Sequence, residues 1–453
     1  MHTPSRRQIL RIAGRTLCGA GAAGALGRLG MVNAYAQGSN YKALVCLFLF
    51  GGNDANNMVI PVNTTKNSYT DYANVRKAAA IAQGSVLTIG AGSETYGLHP
   101  AMTAIRDIYN AGKVAILANV GTLAESMTKE QYLAKSANIP SNLFSHSDQQ
   151  GQWQTADTSG FGTTGWAGRV ADIVGPAYNV PPAGAYAPFP AAISLSGSNI
   201  LQVGEDSAPA TVNSGSVSSL ANFPATPNAR TTAFLNLLAF DNGVKLVGAA
   251  NGITQAGIND AAGLNAALNA STFNPTFPGT SLGNQLKMVS RIINVHAGLG
   301  ASRQIFFVSL GGFDNHDKLL TDQNANLGQV SAALGAFAAA LQELSLQDNV
   351  TVFTESDFNR TNQPNTSVGS DHAWGGHHII AGGAVKGGVY GAFPTLALNG
   401  ADDVTGRGVY LPTTSLDQYG GTLAKWFGVT EEHMPKVFPN LHRFASSDLG
   451  FLG

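Results

Sequence analysis

Cysteine and charge are both scarce in this sequence. Its only cysteines are Cys18 and Cys46, and 12% of its 453 residues are charged. Cys18 lies in an N-terminal segment that we expect to be removed, so the mature chain can form no intrachain disulfide. A formal net charge of -1 gives no sign of the basic surface that nucleic acids attract. No later apolar run is long enough to span a membrane, and the absence of haem and dinucleotide motifs argues against an exported redox protein.

The N-terminus has the three parts of a twin-arginine export signal. Arg6 and Arg7 lie in the segment S-R-R-Q-I-L, a weakly apolar Ala/Gly/Leu stretch follows, and the small-x-small tripeptide A-Y-A ends at Ala36. We therefore expect residues 1–36 to be a signal peptide that is read by the twin-arginine translocase. Residues 37–453 would then form a single domain in the periplasm or outside the cell. An ordinary N-terminal helix is the alternative interpretation.

Three apolar runs predict buried strands of a parallel sheet. Residues 43–50, 304–310 and 350–354 are continuous apolar runs, which are typical of strands buried on both faces. An amphipathic helical pattern separates the last two runs, and this β–α–β order indicates a parallel, right-handed crossover. We therefore predict a doubly wound α/β fold with a mainly parallel sheet between helices.

Polar residues follow each of these runs directly. Asp54 follows the first run, Asp314 and His316 follow the second, and Glu355 and Arg360 follow the third. Because the carboxyl ends of parallel strands share one edge of a sheet, these side chains can converge there. For Asp54, an Asx turn that closes the strand is as good an interpretation as a ligand.

A glycine-rich stretch after the third run supplies further candidate ligands. Residues 369–388 read G-S-D-H-A-W-G-G-H-H-I-I-A-G-G-A-V-K-G-G, with Asp371 beside His372 and a second histidine pair soon after. Glycine allows the backbone to approach a ligand closely. As a ligand, His378 is preferred over His377 because two glycines and His377 give the chain room to turn back after His372.

Carboxylate and imidazole groups together suit a divalent metal. We predict that the protein binds one or two ions, zinc or manganese. Two such ions a few Å apart form the usual clamp for phosphoryl-type transfer. The alternative is that each Asp and His caps its own turn. The predicted ligands are Asp54, Asp314, His316, Asp371, His372 and His378.

A serine-containing segment predicts the start of a helix. Residues 144–150 read F-S-H-S-D-Q-Q, and serine before a helix is a natural N-cap. A helix N-terminus also stabilises an anion or an alkoxide nucleophile, so Ser145 and Ser147 are candidate nucleophiles. Both interpretations stay open at this stage.

Six motifs, together with the export signal, resemble the exported domain-of-unknown-function 1501 family. They are L-F-L-F-G-G-N-D-A-N-N, L-F-S-H-S-D-Q-Q, S-L-G-G-F-D-N-H-D, T-E-S-D-F-N-R-T, G-S-D-H-A-W-G-G-H-H and T-T-S-L-D-Q-Y-G, and they span essentially the whole mature chain. That family is similar to the alkaline phosphatase superfamily, which includes sulfatases, phosphatases and mutases. The resemblance implies an alkaline-phosphatase-like fold. It matches Asp54, Asp314 with His316, Asp371 with His372, and His377 or His378 to the metal ligands of the superfamily.

The resemblance also implies a function, with two departures from the superfamily pattern. The D-x-H pair is unusually tight, and the serine segment lacks the Cys/Ser-x-Pro/Ala-x-Arg motif of formylglycine sulfatases. The implied protein is a periplasmic metal-dependent hydrolase of small anionic phosphate or sulfate esters. Ser145 or Ser147 would be its nucleophile, and Arg360 would clamp the substrate anion bidentately. The alternative is a non-catalytic exported binding or assembly protein on the same scaffold.

Overall fold

A computed structural model describes residues 41–181, 188–215, 228–240 and 243–453. The predicted signal peptide lies outside these residues. In the described ranges, no helix combines the length and the apolar character that crossing a membrane would take.

The strands and helices alternate along most of the chain. The strands are β1 (Lys42–Leu49), β2 (Val59–Asn63), β3 (Leu87–Ala91), β4 (Glu94–Leu98), β5 (Val114–Gly121), β6 (Ala192–Ser194), β7 (Ala210–Thr211), β8 (Arg303–Leu310), β9 (Val350–Ser356), β10 (Gly376–Gly382), β11 (Gly388–Gly391) and β12 (Thr414–Ser415). The helices are α1 (Ala55–Met58), α2 (Tyr69–Arg76), α3 (Thr103–Asn110), α4 (Lys129–Ala134), α5 (His146–Thr155), α6 (Trp166–Tyr178), α7 (Ala229–Ala239), α8 (Lys245–Ala270), α9 (Ser281–Asn294), α10 (Leu319–Glu343), α11 (Leu416–Phe427) and α12 (Met434–Val437).

A nine-stranded mixed sheet lies at the centre of the described part of the chain. Its main path runs β11-β5-β10-β9-β1-β8-β6-β7, and β12 pairs with β5. β1 is parallel to both β8 and β9, whereas β10 is antiparallel to β9 and to β5. A separate three-stranded antiparallel sheet has the order β2-β4-β3.

The central sheet is buried on both faces, as the continuous apolar runs predict. Alternate side chains of a strand point to opposite faces. Val45 and Leu47 accordingly lie in one core with α3, α9 and α10, while Cys46 and Phe48 lie in a second core with α6 and α11. The predicted doubly wound α/β fold with a mainly parallel sheet is thereby confirmed.

The strand register brings the loops of the candidate site to one edge. Leu49 at the end of β1 pairs with Leu310 at the end of β8 and with Ser356 at the end of β9. Because β10 runs the opposite way, its first residue, Gly376, pairs with Val120 near the end of β5. The segments that follow β1, β8 and β9 and the segment that precedes β10 therefore leave the sheet at the same edge.

The second core contains a fully buried carboxyl group on β9. Trp166 Nε1 donates a hydrogen bond to Glu355 Oε1 at 3.2 Å, and Cys46 Sγ lies 3.9 Å from Oε2. Burial raises the pKa of Glu355 from 4.5 to about 8, against the lowering effect of these hydrogen bonds. The folded protein therefore keeps a proton that the unfolded chain releases near pH 4.5. The stabilisation from this group is present at low pH and is lost as the pH rises toward 8.

Glu355→Gln should remove this pH dependence because a neutral amide of similar shape does not titrate. Between pH 4.5 and pH 8, we expect the free energy of unfolding of the wild type to fall on the order of 4 kcal/mol more than that of the variant. Urea unfolding at a series of pH values measures the difference. Glu343→Gln, at an exposed position on α10, serves as the matched control and should follow the wild type. Parallel pH profiles for the wild type and Glu355→Gln would contradict the prediction.

Candidate metal centre

Three imidazoles and one carboxylate meet at this edge of the sheet. Asp314 Oδ1 lies 3.1 Å from His316 Nε2, 3.6 Å from His146 Nε2 and 3.8 Å from His372 Nε2. The Nε2 atoms of His316 and His372 are 3.2 Å apart. One ligand atom each from His146, Asp314 and His372 lies within 4.8 Å of the others, a spacing that can hold a metal ion.

Asp357 orients the imidazole of His146. The Asp357 side chain is fully buried, and its Oδ2 lies 2.7 Å from His146 Nδ1 and accepts a hydrogen bond from Gln150 Nε2 at 2.8 Å. Its Oδ1 accepts from the backbone N–H of Gly51 at 3.1 Å. Because the carboxylate accepts, the proton of the neutral His146 ring belongs on Nδ1, and the Nε2 lone pair faces Asp314.

The other two imidazoles are held in the same way. His372 Nδ1 lies 2.7 Å from the carbonyl oxygen of Phe144, and His316 Nδ1 lies 3.3 Å from Asp371 Oδ1. Phe144 has a φ of +73°, which is uncommon for a bulky residue and belongs to the tight turn before α5. Burial lowers the pKa of His372 and the charge of Arg360 lowers it further, against the raising effect of the hydrogen bond with Phe144. The net shift favours the neutral ring that a metal ligand requires.

Arg360 neutralises the carboxylate at the centre of the cluster. Its guanidinium is fully buried and presents five donors, each with an acceptor in the structure. Partial burial raises the pKa of Asp314, but the hydrogen bond and charge of Arg360 hold it below its ordinary value. The acceptors around Arg360 are the carbonyl oxygens of Gly51, Gly52 and Ser370, the Asp314 carboxylate and His316 Nε2.

Two glycines after β1 allow the loops to approach this closely. Gly51 and Gly52 have φ values of +109° and +80°. A Cβ on Gly51 would lie 2.6 Å from the backbone nitrogen of Asp314, and one on Gly52 would lie 2.5 Å from the Phe358 ring. Only glycine satisfies both the backbone conformation and the contact at these positions.

A sequence model described as "Protein of unknown function (DUF1501)" matches residues 41–408. The chain belongs to the DUF1501 family. No curated protein sequence matches this DUF1501 protein.

Two solved structures have a chain arrangement similar to that of this protein. The crystal structure of Ps i-CgsB in complex with k-i-k-neocarrahexaose has 9% identity and a TM-score of 0.33, covering 88% of this chain and 76% of that one. The PsFucS1 sulfatase from Pseudoalteromonas sp. has 12% identity and a TM-score of 0.34, covering 95% of this chain and 73% of that one. With TM-scores this low, neither structure bears on the site of the DUF1501 protein.

The structure brings together three of the six predicted ligands, namely Asp314, His316 and His372, and adds His146. His146 lies in the segment 144–150, where only the flanking serines were predicted as site residues. Asp357 was not predicted, although it follows a buried strand like the other candidates. Two sequence signals could have predicted these residues: Asp357 follows a strand end, and His146 lies at the start of a helix.

Asp54 does not join the cluster, which corrects its prediction as a ligand. It is the N-cap of α1, and its Oδ1 accepts from the backbone N–H groups of Asn56 and Asn57. Its Oδ2 forms a buried ion pair with Arg76 Nη2 at 2.8 Å. The Asx-type interpretation therefore describes Asp54, because both carboxylate oxygens are engaged within the fold.

The predictions of Asp371 and His378 as metal ligands are also corrected, for different reasons. Asp371 directs Oδ1 to His316 Nδ1 and Oδ2 to Arg407. It therefore contacts the His316 ring at the nitrogen that does not face Asp314. His378 lies inside β10, where its ring packs 4.7 Å from the Trp153 ring. Burial lowers the pKa of His378 to about 4, which keeps it neutral in the second core. The glycine-rich stretch thus contains a strand, whereas the preference for His378 assumed a turn.

The predicted catalytic residues are also placed differently from expectation. Arg360 has no donor left for a substrate anion, so the structure does not support its role as a clamp. Ser145 occupies the N-cap position of α5 without a capping side-chain hydrogen bond. Its Oγ donates to Asp148 Oδ2 at 2.5 Å and lies 3.3 Å from Ser147 Oγ.

Proposed function

We propose that this DUF1501 protein is an exported metal-dependent hydrolase of phosphate or sulfate esters. The observation that carries the proposal is the convergence of three Nε2 atoms on Asp314, with every Nδ1 held by an oxygen acceptor. This is the arrangement in which histidine binds metals, because the acceptor fixes both the tautomer and the ring orientation. A set of imidazole nitrogens and a carboxylate oxygen suits zinc or manganese. The ligands would be His146, Asp314 and His372, whose ligand atoms lie within 4.8 Å of one another, with His316 beside them.

The chain's own residues have distinct roles in this proposal. A divalent ion, when bound, supplies Lewis acidity toward the anionic oxygens of the ester. Asp357 keeps the proton on His146 Nδ1, and Arg360 keeps Asp314 ionised. Ser145 precedes His146 directly and is half-buried, whereas Ser147 is exposed, so Ser145 is the better candidate nucleophile. Asp148 Oδ2 accepts the hydrogen bond of the Ser145 hydroxyl and would take its proton as Oγ bonds to phosphorus or sulfur. The bond from that atom to the alcohol oxygen breaks, the alcohol leaves with a proton, and water then hydrolyses the ester formed on Ser145.

Metal analysis and a substrate panel test the proposal on the mature protein, purified after expression of the full chain. We expect stoichiometric zinc or manganese, and hydrolysis of at least one of a phosphate monoester, a phosphate diester and a sulfate ester. Chelation should abolish the hydrolysis, and added metal should restore it. A protein that holds no metal and turns over no ester would instead support the binding or assembly function.

The serine assignment makes a separate prediction. Ser145→Ala should lower turnover by about 10³-fold or more while the metal content stays unchanged, because only the nucleophile is removed. Ser147→Ala is the matched control and should stay within a few-fold of the wild type. Steady-state kinetics on the best panel substrate separate the two variants. Full activity of both would place the attacking group elsewhere.

Export by the twin-arginine translocase remains a proposal that rests on the N-terminal sequence. Replacing Arg6 and Arg7 with lysine should leave uncleaved precursor in the cytoplasm, because the translocase reads the arginine pair. Arg11→Lys makes the same chemical change outside the motif and should not affect export. Cell fractionation and immunoblotting measure both outcomes. Normal export of the double variant would contradict the assignment.

A further inference from the structure

Arg407 lies at the rim of the candidate metal centre. Its Nη2 is 2.7 Å from Asp371 Oδ2, and its side chain is 43% exposed. The other oxygen of the same carboxylate, Asp371 Oδ1, lies 3.3 Å from His316 Nδ1. One carboxylate therefore joins a half-exposed guanidinium to an imidazole of the cluster.

The turn that carries Arg407 is built around a buried carboxylate. Asp403 is fully buried, and its Oδ1 accepts from the backbone N–H groups of Thr405, Gly406 and Val409, each at 3.1 Å. Its Oδ2 accepts from the N–H of Asn399 at 2.9 Å. A carboxylate that receives this many backbone donors holds the turn in one conformation.

The neighbours of Arg407 also anchor the turn to the loop after β9. The flanking residues Gly406 and Gly408 have φ values of +80° and +76°, and a Cβ on Gly408 would lie 2.5 Å from Asn362 Cβ. The N–H of Gln363 donates to the Arg407 carbonyl oxygen at 3.0 Å, and the N–H of Asn362 donates to that of Gly408 at 3.1 Å. Arg407 is therefore presented from a rigid position, which binding sites require.

Arg407 has the free donors that Arg360 lacks. Among the residues that the structure describes, Asp371 is the only side-chain partner of the Arg407 guanidinium. The remaining donors of its fork belong to a half-exposed side chain, and a guanidinium fork matches the oxygens of a carboxylate, phosphate or sulfate. The Asp371 carboxylate and the His316 ring stand between Arg407 and Asp314. An anion bound at the cluster would therefore need a second anionic group to reach Arg407.

We propose that Arg407 is a specificity-determining residue that binds a second anionic group of the substrate, beside the ester that is hydrolysed. The substrate class is thereby narrowed to phosphate or sulfate esters that carry a neighbouring carboxylate, phosphate or sulfate. This inference rests on the proposed function, because it places the reacting group at the metal centre.

Two small phosphonates separate the second anionic group from the first. Phosphonoacetate carries a phosphonate and a carboxylate, whereas methylphosphonate carries only the phosphonate, and neither contains an ester. Isothermal titration of the zinc-loaded protein should show phosphonoacetate binding about 10-fold or more tighter than methylphosphonate, the size expected for charge-assisted hydrogen bonds. Arg407→Gln should remove this preference and leave methylphosphonate affinity within a few-fold of the wild type. Zinc content is measured before and after each titration.

Two further variants keep the result interpretable. Arg407→Lys should retain part of the preference, because it keeps the charge but loses the fork. Arg106→Gln removes a partly exposed arginine elsewhere and should behave like the wild type. If Arg407→Gln and Arg407→Lys both keep zinc and the full preference, the inference is overturned while the hydrolase proposal stands. If the zinc-loaded wild type binds neither phosphonate, the proposed function fails and this inference fails with it.

Discussion

His146→Ala should abolish stoichiometric metal binding, together with hydrolysis of every ester on the panel. The melting temperature of the wild type should fall on addition of EDTA and recover with excess zinc, whereas that of the variant should not respond. A ligand that binds only the folded state stabilises it by about 2.7 to 4.1 kcal/mol at 100 to 1,000 times its dissociation constant. The variant loses this contribution because it removes one of the three ligand atoms that lie within 4.8 Å of one another.

Two other histidines serve as matched controls for this experiment. His442 is exposed and distant in sequence from the cluster, so His442→Ala should keep both the metal and the EDTA response. His378→Leu should also keep the metal, because the His378 ring packs in the second core. Metal bound normally by His146→Ala but lost from His378→Leu would show that the cluster described above is not the metal centre.

Asp54→Ala should destabilise the protein severely without removing its metal. The substitution leaves the Arg76 guanidinium fully buried and without its carboxylate partner. Breaking a buried ion pair from one side costs about 3 to 5 kcal/mol, because the remaining charge stays out of water. The variant also loses the cap of α1. Urea unfolding measures the free energy, and metal analysis of the folded fraction measures the metal.

The controls for Asp54 distinguish an ion pair from a ligand. Asp107→Ala removes an exposed partner of Arg106 and should change stability by less than about 1 kcal/mol. Asp54→Ala combined with Arg76→Met should recover part of the loss, because no unpaired charge remains. A stable Asp54→Ala protein without metal would mean that Asp54 is a ligand after all.

The sheet and the location of the site follow from patterns within the chain. Continuous apolar runs predicted strands buried on both faces, and the structure has β1, β8 and β9 at these runs with their ends level. Polar residues after such strands must gather at one edge, whatever the details of their loops. Asp314 and His316 were therefore predictable, because they follow β8 directly.

Side-chain direction was harder to predict because it depends on where each strand and helix begins. The sequence G-G-H-H could form a loop or a strand, and β10 begins at its second glycine. His377 and His378 are consecutive residues of this strand, so their side chains point to opposite faces of the sheet and not to its edge. At the start of α5, the ring of His146 rather than the hydroxyl of Ser145 reaches Asp314, which depends on the turn at Phe144.

The sequence by itself determined the α/β class, the parallel direction of β1, β8 and β9 and the edge at which polar residues collect, because these depend on local apolar runs and their order. Only the tertiary structure decided which polar side chains meet. Asp54 lies at the predicted edge but pairs with Arg76. Asp357 lies at the same edge, where it orients His146. These contacts join residues that are distant in the chain, so the pattern of residues within one segment does not predict them.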